Sequence, residues 1–363
     1  MEFLACLATL AAAPAPHPVL LAEGAGLTVA LSDTTVLYAD EQGSFFTVSI
    51  PSGEKSAWQP SWRPDEDGWQ IRRGSYGDGM VFALSVSPDR GHVVYAQGVW
   101  LPDRYDVPEA AEAIRGCFVV VVCDTDGRHA FPAALGIEVG GGPEYDFTSD
   151  SRLLVGQPFF PCPPTPEGYA EYLELGWDNP RIAEFNCVDI ATGEHGVIPD
   201  LNVGDGYWKC PFSDYFRIEN NWYEEHEFSS FQTGGLLGSY SVPEGSSGGI
   251  LGWILPDAVL LEGDGEHREV LFVDGRALEG PASSWDFFCR MPDGTSVFTM
   301  DGGRTVMHGT VDWTTGSVSG AVPCPGLEDC LESSFIPLPG SGGVLLHSPA
   351  PWGTGLLYFY DLP

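Results

Sequence analysis

The sequence predicts an all-β chain folded as a seven-bladed β-propeller of four-stranded antiparallel blades. Three observations predict it. A strand-turn-strand phrase occurs seven times, turn formers and core formers are abundant together, and the last copy lacks a strand that the start of the chain can supply.

The phrase is an apolar strand, a turn with Ser, Thr or Pro beside Asp, and a second apolar strand. Leu31-Ser32-Asp33 precedes Val36-Leu37-Tyr38, Ser87-Pro88-Asp89 precedes Val93-Val94-Tyr95, and Thr148-Ser149-Asp150 precedes Leu153-Leu154-Val155. Phe212-Ser213-Asp214 precedes Phe216-Arg217-Ile218, Leu255-Pro256-Asp257 precedes Val259-Leu260-Leu261, and Met291-Pro292-Asp293-Gly294 precedes Val297-Phe298. The last copy is degenerate, with Leu338-Pro339-Gly340 before Val344-Leu345-Leu346. Pro fixes φ for a turn and Asp bonds the backbone that follows it, so each copy is a β-turn between two strands.

A second phrase follows: an apolar strand, then a polar turn with Gly. Examples are Phe46 to Ile50 before Ser52-Gly53, Val119 to Cys123 before Thr125-Asp126-Gly127, and Cys187 to Ile190 before Thr192-Gly193. Leu271 to Val273 before Asp274-Gly275 and Thr310 to Trp313 before Thr315-Gly316 repeat it. Together the phrases define four strands per unit. One such meander cannot bury both faces alone, so the units must shield one another around a ring.

Composition agrees. Gly 46 and Pro 30 make about a fifth of the 363 residues, against roughly 12% in an average chain. Hydrophobic residues at 43% and aromatics at 12% give strands and core that a disordered chain lacks.

Ser87-Pro88-Asp89-Arg90-Gly91-His92-Val93-Val94-Tyr95 and Pro292-Asp293-Gly294-Thr295-Ser296-Val297-Phe298 resemble the Pro-Asp-Gly repeat of TolB-type, WD-repeat-like propellers. Asp189-Ile190-Ala191-Thr192-Gly193 resembles the third-strand ending of the same repeat. The resemblance implies a binding platform and specifies turns, not an activity.

The last unit has strands near Ser334 to Leu338, Val344 to His347 and Leu356 to Tyr360, and then the chain stops at Pro363. A spare apolar run, Pro18 to Ala22, precedes the first unit. Pairing it beside Leu356 to Tyr360 would complete the last blade and remove an open edge.

Residues 1–15 read as a secretory signal peptide, from the apolar run Phe3 to Ala13 and its small-residue end, although Glu2 stands where a basic residue is expected. Residues 16–363 then form one propeller domain that is periplasmic or extracellular. No stretch is long enough to span a bilayer as an apolar helix. Asp+Glu 51 against Lys+Arg 16 gives −35, and only Lys55 and Lys209 are lysines. That charge repels nucleic acid phosphates and anionic lipid heads. It suits a solubilising shell in a screening medium.

Nine cysteines are present, eight of them beyond the leader. Cys324 and Cys330 flank a small loop that a disulfide could close, and Cys162 and Cys210 fall in neighbouring loops. The others read as buried strand thiols. With no CxxC, zinc-ribbon and thioredoxin-like readings have no support.

Extra length falls at 58–79, 98–116, 156–181, 199–209 and 220–234, all in connections that emerge on one face of the ring. Stretches 108–114 and 166–175 read as short helices within them. These insertions hold most of the tryptophans and six arginines. Loops on a rigid scaffold carry binding, and Trp, Tyr and Arg dominate hot spots. The candidate ligand-binding residues are Trp62, Trp69, Arg72, Trp100, Arg104, Tyr172, Trp177, Trp208, Trp222 and Tyr223. The competing reading is that these aromatics form small cores for the loops themselves.

Other motifs are weaker. Gly245-Ser246-Ser247-Gly248-Gly249 matches GxSxG, but a strand pattern follows where a nucleophile elbow needs a helix. Asp124/Asp126 and Asp65/Asp67 echo the start of a Ca²⁺ loop without its full ligand run. Glu224-Glu225-His226-Glu227 reads as a solvated acidic loop. Tyr145, Asp146, Lys209, Trp253, Trp285, Asp286 and Arg290 are candidates to line the central channel. The expected function is non-catalytic binding of a protein, peptide or glycan on the aromatic loop face, with no required cofactor. The alternatives are a hydrolase or lyase acting on carbohydrate at the funnel, and a structural component of the cell envelope.

Overall fold

The computed structural model describes residues 17–71, 73–74, 77–78, 81–105, 116–137, 145–156, 164–175, 185–198, 206–220, 225–243, 248–263, 265–300, 302, 304–340, 342–348 and 355–363. The expected leader and the expected helix over 108–114 lie outside them. Pro166–Leu175 is an α-helix, as its sequence predicts.

All seven turn phrases fall between two antiparallel strands. The strands form one seven-stranded sheet, one five-stranded sheet, four four-stranded sheets and a two-stranded ribbon. The five-stranded sheet has Phe131–Ile137, Gly116–Asp124 and His92–Trp100 in order, with Gln70–Ile71 and Val81–Val86 sharing the last edge. The four-stranded sheets begin at Tyr145, Gly206, Ile250 and Asp286, and each runs in chain order as a meander.

The seven-stranded sheet joins the two ends of the chain. Its order is Ser334–Pro337, Gly343–Ser348, Gly355–Asp361, Val19–Ser32, Thr35–Asp40, Phe45–Ser49 and Lys55–Ala57. Val19 lies opposite Phe359 and Leu20 opposite Tyr358. Further along the same strand, Thr28 lies opposite Tyr38 and Val29 opposite Leu37. The spare run at Pro18 to Ala22 therefore pairs where expected. It does not form a separate strand, because no turn interrupts it before Ser32, and one strand of 14 residues serves both ends.

Side chains alternate across a strand, so an unbroken apolar run is buried on both faces. Val93 and Tyr95 join a core cluster with Leu37 and Phe45, while Val94 and Ala96 join one with Tyr145 and Leu154. Val155 and Ile198 meet Phe216 and Phe231, and Cys210 and Phe228 meet Trp253 and Val259. Ile254 and Leu260 meet Phe298 and Trp313, and Met291 and Val297 meet Phe335 and Val344. Leu338, Leu345 and Leu357 meet Ala30, Val36 and Tyr38. Each cluster bridges consecutive units along the chain, and the last returns to the first, which is a propeller-like arrangement. Val81–Val86 packs between Val19–Ser32 and Tyr145–Phe147, and Asp286–Arg290 packs between Ile250–Leu255 and Ser334–Pro337.

The turn phrases also bond across these seams. Gly340 donates its N–H to Asp33 Oδ1 at 2.5 Å. Arg90 donates to the Ala30 carbonyl, and the Asp89 N–H donates to Ser151 Oγ at 3.0 Å. Asp214 accepts from the Ser149 N–H at 2.6 Å and from its hydroxyl at 2.8 Å. Ser213 donates to the Pro256 carbonyl at 2.7 Å, and Arg290 to that of Ile254 at 2.7 Å. The degenerate last phrase has Gly for a steric reason: a Cβ at Gly340 would collide with the Asp33 carboxylate.

Cys324 is a free thiol, so the disulfide expected between it and Cys330 is not formed. Backbone bonds close the loop instead, from the Leu327 N–H to the Cys324 carbonyl and from the Cys330 N–H to that of Leu327. Tyr360 seals it by donating to the Pro325 carbonyl at 3.1 Å. Cys210 is also a free thiol, and Cys162 lies outside the described residues.

Candidate functional site

The first insertion is fastened to two sheets before it makes a site. The Trp58 N–H donates to the Phe45 carbonyl at 3.0 Å, and its indole N–H donates to that of Thr125 at 3.0 Å. The Ser61 N–H donates to the Gly127 carbonyl at 2.7 Å, and Ser61 Oγ accepts from Ala130 at 2.9 Å. The chain then makes one 3₁₀ turn, Pro64–Asp67, ended by Gly68 at φ 81°, a conformation that favours glycine. Gln70 and Ile71 pair with Trp100 and Val99, which returns the insertion to the sheet.

Three insertions meet in one aromatic cluster. Trp69 packs edge-on against Tyr105 at 5.3 Å between ring centroids and against Trp62 at 6.4 Å, and Tyr105 packs edge-on against Tyr169 at 5.9 Å. Tyr105 donates to the Pro164 carbonyl at 2.8 Å, linking the second and third insertions. The Arg104 guanidinium lies 5.9 Å from the Trp69 ring and 5.6 Å from Tyr105. Trp69, Tyr105 and Tyr169 are all buried in the core cluster of the first two units.

Two hollows open beside this cluster. One, of about 310 Å³, lies between the first and second units and is lined by Phe45, Trp58, Tyr95, Gln97, Arg63 and Asp65, among others. Phe45 stands 5.4 Å from Trp58 and 4.7 Å from Tyr95, with the rings inclined by 68° and 59°. Burial raises the Tyr95 phenol well above its ordinary value, the Cys123 thiol adds to this, and the Arg63 guanidinium opposes it. The phenol is therefore neutral at pH 7. Arg63 and Asp65 face each other at 3.8 Å, with side chains 43% and 55% exposed. The second hollow, of about 660 Å³, is lined by Asp65, Gly68, Trp69, Gln70, Ile71 and Trp100. Asp65 and Ile71 belong to both, so the hollows form one groove.

The structure sorts the candidate residues. Trp69 is 2% exposed and forms the wall behind the groove, whereas Trp100 is 39% exposed at its edge. Trp62 is partly buried against the cluster, and Arg104 is committed to its rings. Trp208 is 42% exposed on Gly206–Lys209, a separate sheet. Arg72, Trp177, Trp222 and Tyr223 lie outside the described residues, as does the side chain of Tyr172. Sequence reasoning missed Phe45, Tyr95 and Gln97, which lie in regular strands where alternation marks them as core.

Other motifs resolve into structure. Asp124 meets His129 at 2.7 Å, and Asp126 pairs with Arg128. Ser246 and Ser247 lie outside the described residues, and Ile250–Leu255 is the strand that the pattern predicts. His226 corrects the acidic-loop expectation: it is buried on the strand Glu225–Ser230, with Nε2 3.0 Å from the Gly248 carbonyl. The period-two run His226, Phe228, Ser230 carried that signal. Among the channel candidates, Lys209 donates to the Cys210 carbonyl at 3.0 Å, Trp285 stacks on Phe298, and Asp286 accepts from Arg268 at 3.1 Å. Trp253 and Tyr145 are core residues.

Among the described residues, every carboxylate with a resolved shift is lowered, and each sits in a turn or at a turn's edge. The Thr148 hydroxyl holds Asp150 down. At Asp89, burial pushes up but bonds from Ser87 and Gly91 outweigh it. These are acceptors that shape turns.

No family model matches the chain, and no curated protein matches it. Solved structures similar to it include an oligogalacturonate lyase in complex with manganese, at TM-score 0.43 and 11% identity, covering 91% of this chain and 74% of that one. The C-terminal WD40 domain of Sif2 gives TM-score 0.46 and 9% identity over 96% of this chain and 99% of that one. An oligogalacturonate lyase from Vibrio parahaemolyticus gives 0.44 and 12% over 94% and 80%. At these values, neither an activity nor a ligand carries over.

Proposed function

We propose that this chain is a seven-bladed propeller acting as a non-catalytic binding module, with its ligand taken in the groove between the first and second blades. Seven core clusters among the described residues, each bridging consecutive units, support the count. The −35 charge and the apolar run at residues 3–13 support an exported protein.

The observation that carries the function is the contiguous groove, backed by a cluster to which three insertions contribute. A ligand there meets a wall that three loops hold rigid, so little ordering is required on binding. The hollow of about 310 Å³ is at the lower end of the roughly 300–1,000 Å³ of small-molecule sites. In the second hollow, the buried indole N–H of Trp69 has no hydrogen-bond partner among the described residues. Burying such a donor unpaired costs about 1–3 kcal/mol.

The test is a binding screen of metabolites, peptides and glycans against the whole chain and two variants. Ala57→Trp fills the mouth of the first hollow from an exposed position, and Trp100→Ala opens the rim of the second. The reading expects hits lost in the first variant and weakened in the second. Hits that ignore both variants would remove the groove, and chemical turnover of a hit would replace binding with catalysis.

A further inference from the structure

We infer that the ring opens at one seam, between its third and fourth units, and that Asp214 is the latch that holds this seam shut.

Packing marks the seam. Elsewhere around the ring, the first strands of neighbouring units pack together: Val81–Val86 on Val19–Ser32 and Tyr145–Phe147, and Asp286–Arg290 on Ile250–Leu255 and Ser334–Pro337. Among the described residues, Gly206–Lys209 of the fourth unit makes no comparable packing with the first strand of either neighbour. Trp208 on that strand is 42% exposed. The apolar core across the seam to the third unit is the smallest of the seven among the described residues. Val155, Ile198, Phe216 and Phe231 are buried in it, and Leu153 and Cys187 pack against it partly buried. Apolar burial resists separation, and regions that bury least open first.

Polar bonds decide which side of the fourth unit lets go. Toward the fifth unit, the ties are spread over a turn and two strands. Ser213 donates to the Pro256 carbonyl at 2.7 Å, His226 Nε2 lies 3.0 Å from the Gly248 carbonyl, and Tyr240 donates to Glu269 at 2.6 Å. Toward the third unit, the described side-chain bonds converge on one group. Ser149 gives its N–H and its hydroxyl to the Asp214 carboxylate, at 2.6 and 2.8 Å. Ser149 is exposed, so water takes over its bonds when the seam parts and no donor is stranded. The fourth unit therefore stays with the fifth and parts from the third. Gln232 bonds the same carboxylate at 2.7 Å from within the fourth unit, and that bond survives the opening.

The chain carries its own reporters, because free thiols sit at several seams. Cys187 lies at this one, Cys123 between the first and second units, Cys210 between the fourth and fifth, and Cys289 between the sixth and seventh. Iodoacetamide labelling of the whole chain, read site by site by peptide mass spectrometry, tracks the open population of each seam when reclosing outpaces labelling. Rates are compared with those of the chain unfolded in urea. Cys187 should label well ahead of Cys123, Cys210 and Cys289. Ser149→Ala should speed Cys187 about fivefold, as loss of one hydrogen bond predicts, and Gln232→Ala should leave it unchanged. Both variants alter exposed side chains, and thermal melts confirm that they fold. At the other three thiols, which wait for global unfolding, the two variants should act alike. Cys187 labelling no sooner than the other three would overturn the opening. Cys187 sped equally by both variants would mean that the fourth unit unfolds rather than parts, and Cys187 indifferent to Ser149→Ala would mean a thiol reached without any latch. Cys210 labelling as fast as Cys187 would show the fourth unit leaving both neighbours. Each of these results would overturn the proposal.

Discussion

Asp214→Ala tests whether the repeated turns tie neighbouring sheets together. Asp214 is 6% exposed and accepts three bonds: from the Ser149 N–H, from the Ser149 hydroxyl, and from Gln232 Nε2 at 2.7 Å. Bonds to a charged acceptor contribute about 1.5–3 kcal/mol each when their partners stay buried. Ser149 and Gln232 are exposed, so water replaces the lost acceptor and about 1 kcal/mol per bond is the better figure. The alanine variant should lose about 3 kcal/mol. A chain of 363 residues unfolds with roughly 0.7 kcal/mol/K of entropy, so the melting midpoint should fall by about 4 °C. Asp214→Asn keeps an acceptor for the Ser149 N–H and should lose about half as much. Calorimetry on the three proteins reads both numbers. An alanine variant melting within 1 °C of wild type, or an asparagine variant as damaged as alanine, would refute the reasoning.

Other predictions follow the same logic. Trp69→Ala should cost about 3–5 kcal/mol by emptying the aromatic cluster, whereas Trp100→Ala, at an exposed rim, should cost under about 1 kcal/mol; urea unfolding separates them. Burial holds His195 below its ordinary 6.5, against a bond at Ala133, so the unfolded chain protonates first and stability should fall as pH drops below 6.5. Asp150, held below 3.8, keeps its contribution above that value and loses it as pH falls further. Burial raises Cys123, Cys289 and Cys324 to about 12, helped by neighbouring charges, so the unfolded thiols ionise first and stability should also fall above pH 9. Urea midpoints across this range should show a plateau between, and a steady rise to pH 10 would contradict it. At pH 8, these three thiols should resist iodoacetamide until the chain unfolds, because about one in 10⁴ is ionised; labelling at the rate of free cysteine would contradict their burial.

The strands and turns were legible because their causes are local. Asp89, Asp150 and Asp293 each sit where a tight turn needs an acceptor, and Val93 to Ala96 read as a strand buried on both faces. The closing strand was legible from a missing partner beside Leu356 to Tyr360, but not its continuity through Ser32, which depends on pairing over more than 300 residues of separation. The site was half legible. Composition marked the insertions as aromatic, and Trp100 did reach the groove rim. Trp69 did not, because Trp, unlike Asp in a turn, carries no local signal for inward or outward placement. Phe45, Tyr95 and Gln97 enter the hollow only because the first insertion folds across two sheets, a fact of tertiary structure. The Cys324 loop misled because its length suits a disulfide, whereas two successive backbone turns already close it.

The central structural claim is that the chain's first strand seals the ring against Gly355–Asp361. Residue-resolved hydrogen exchange on that strand tests it most directly, because a strand flanked on both sides bonds every amide while an edge strand bonds every second one. Leu356, Leu357, Tyr358 and Phe359, which lie opposite Glu23, Ala22, Leu20 and Val19, should all exchange slowly and together. Alternating fast and slow amides along these four residues would mean an open edge, and the closed ring would be wrong.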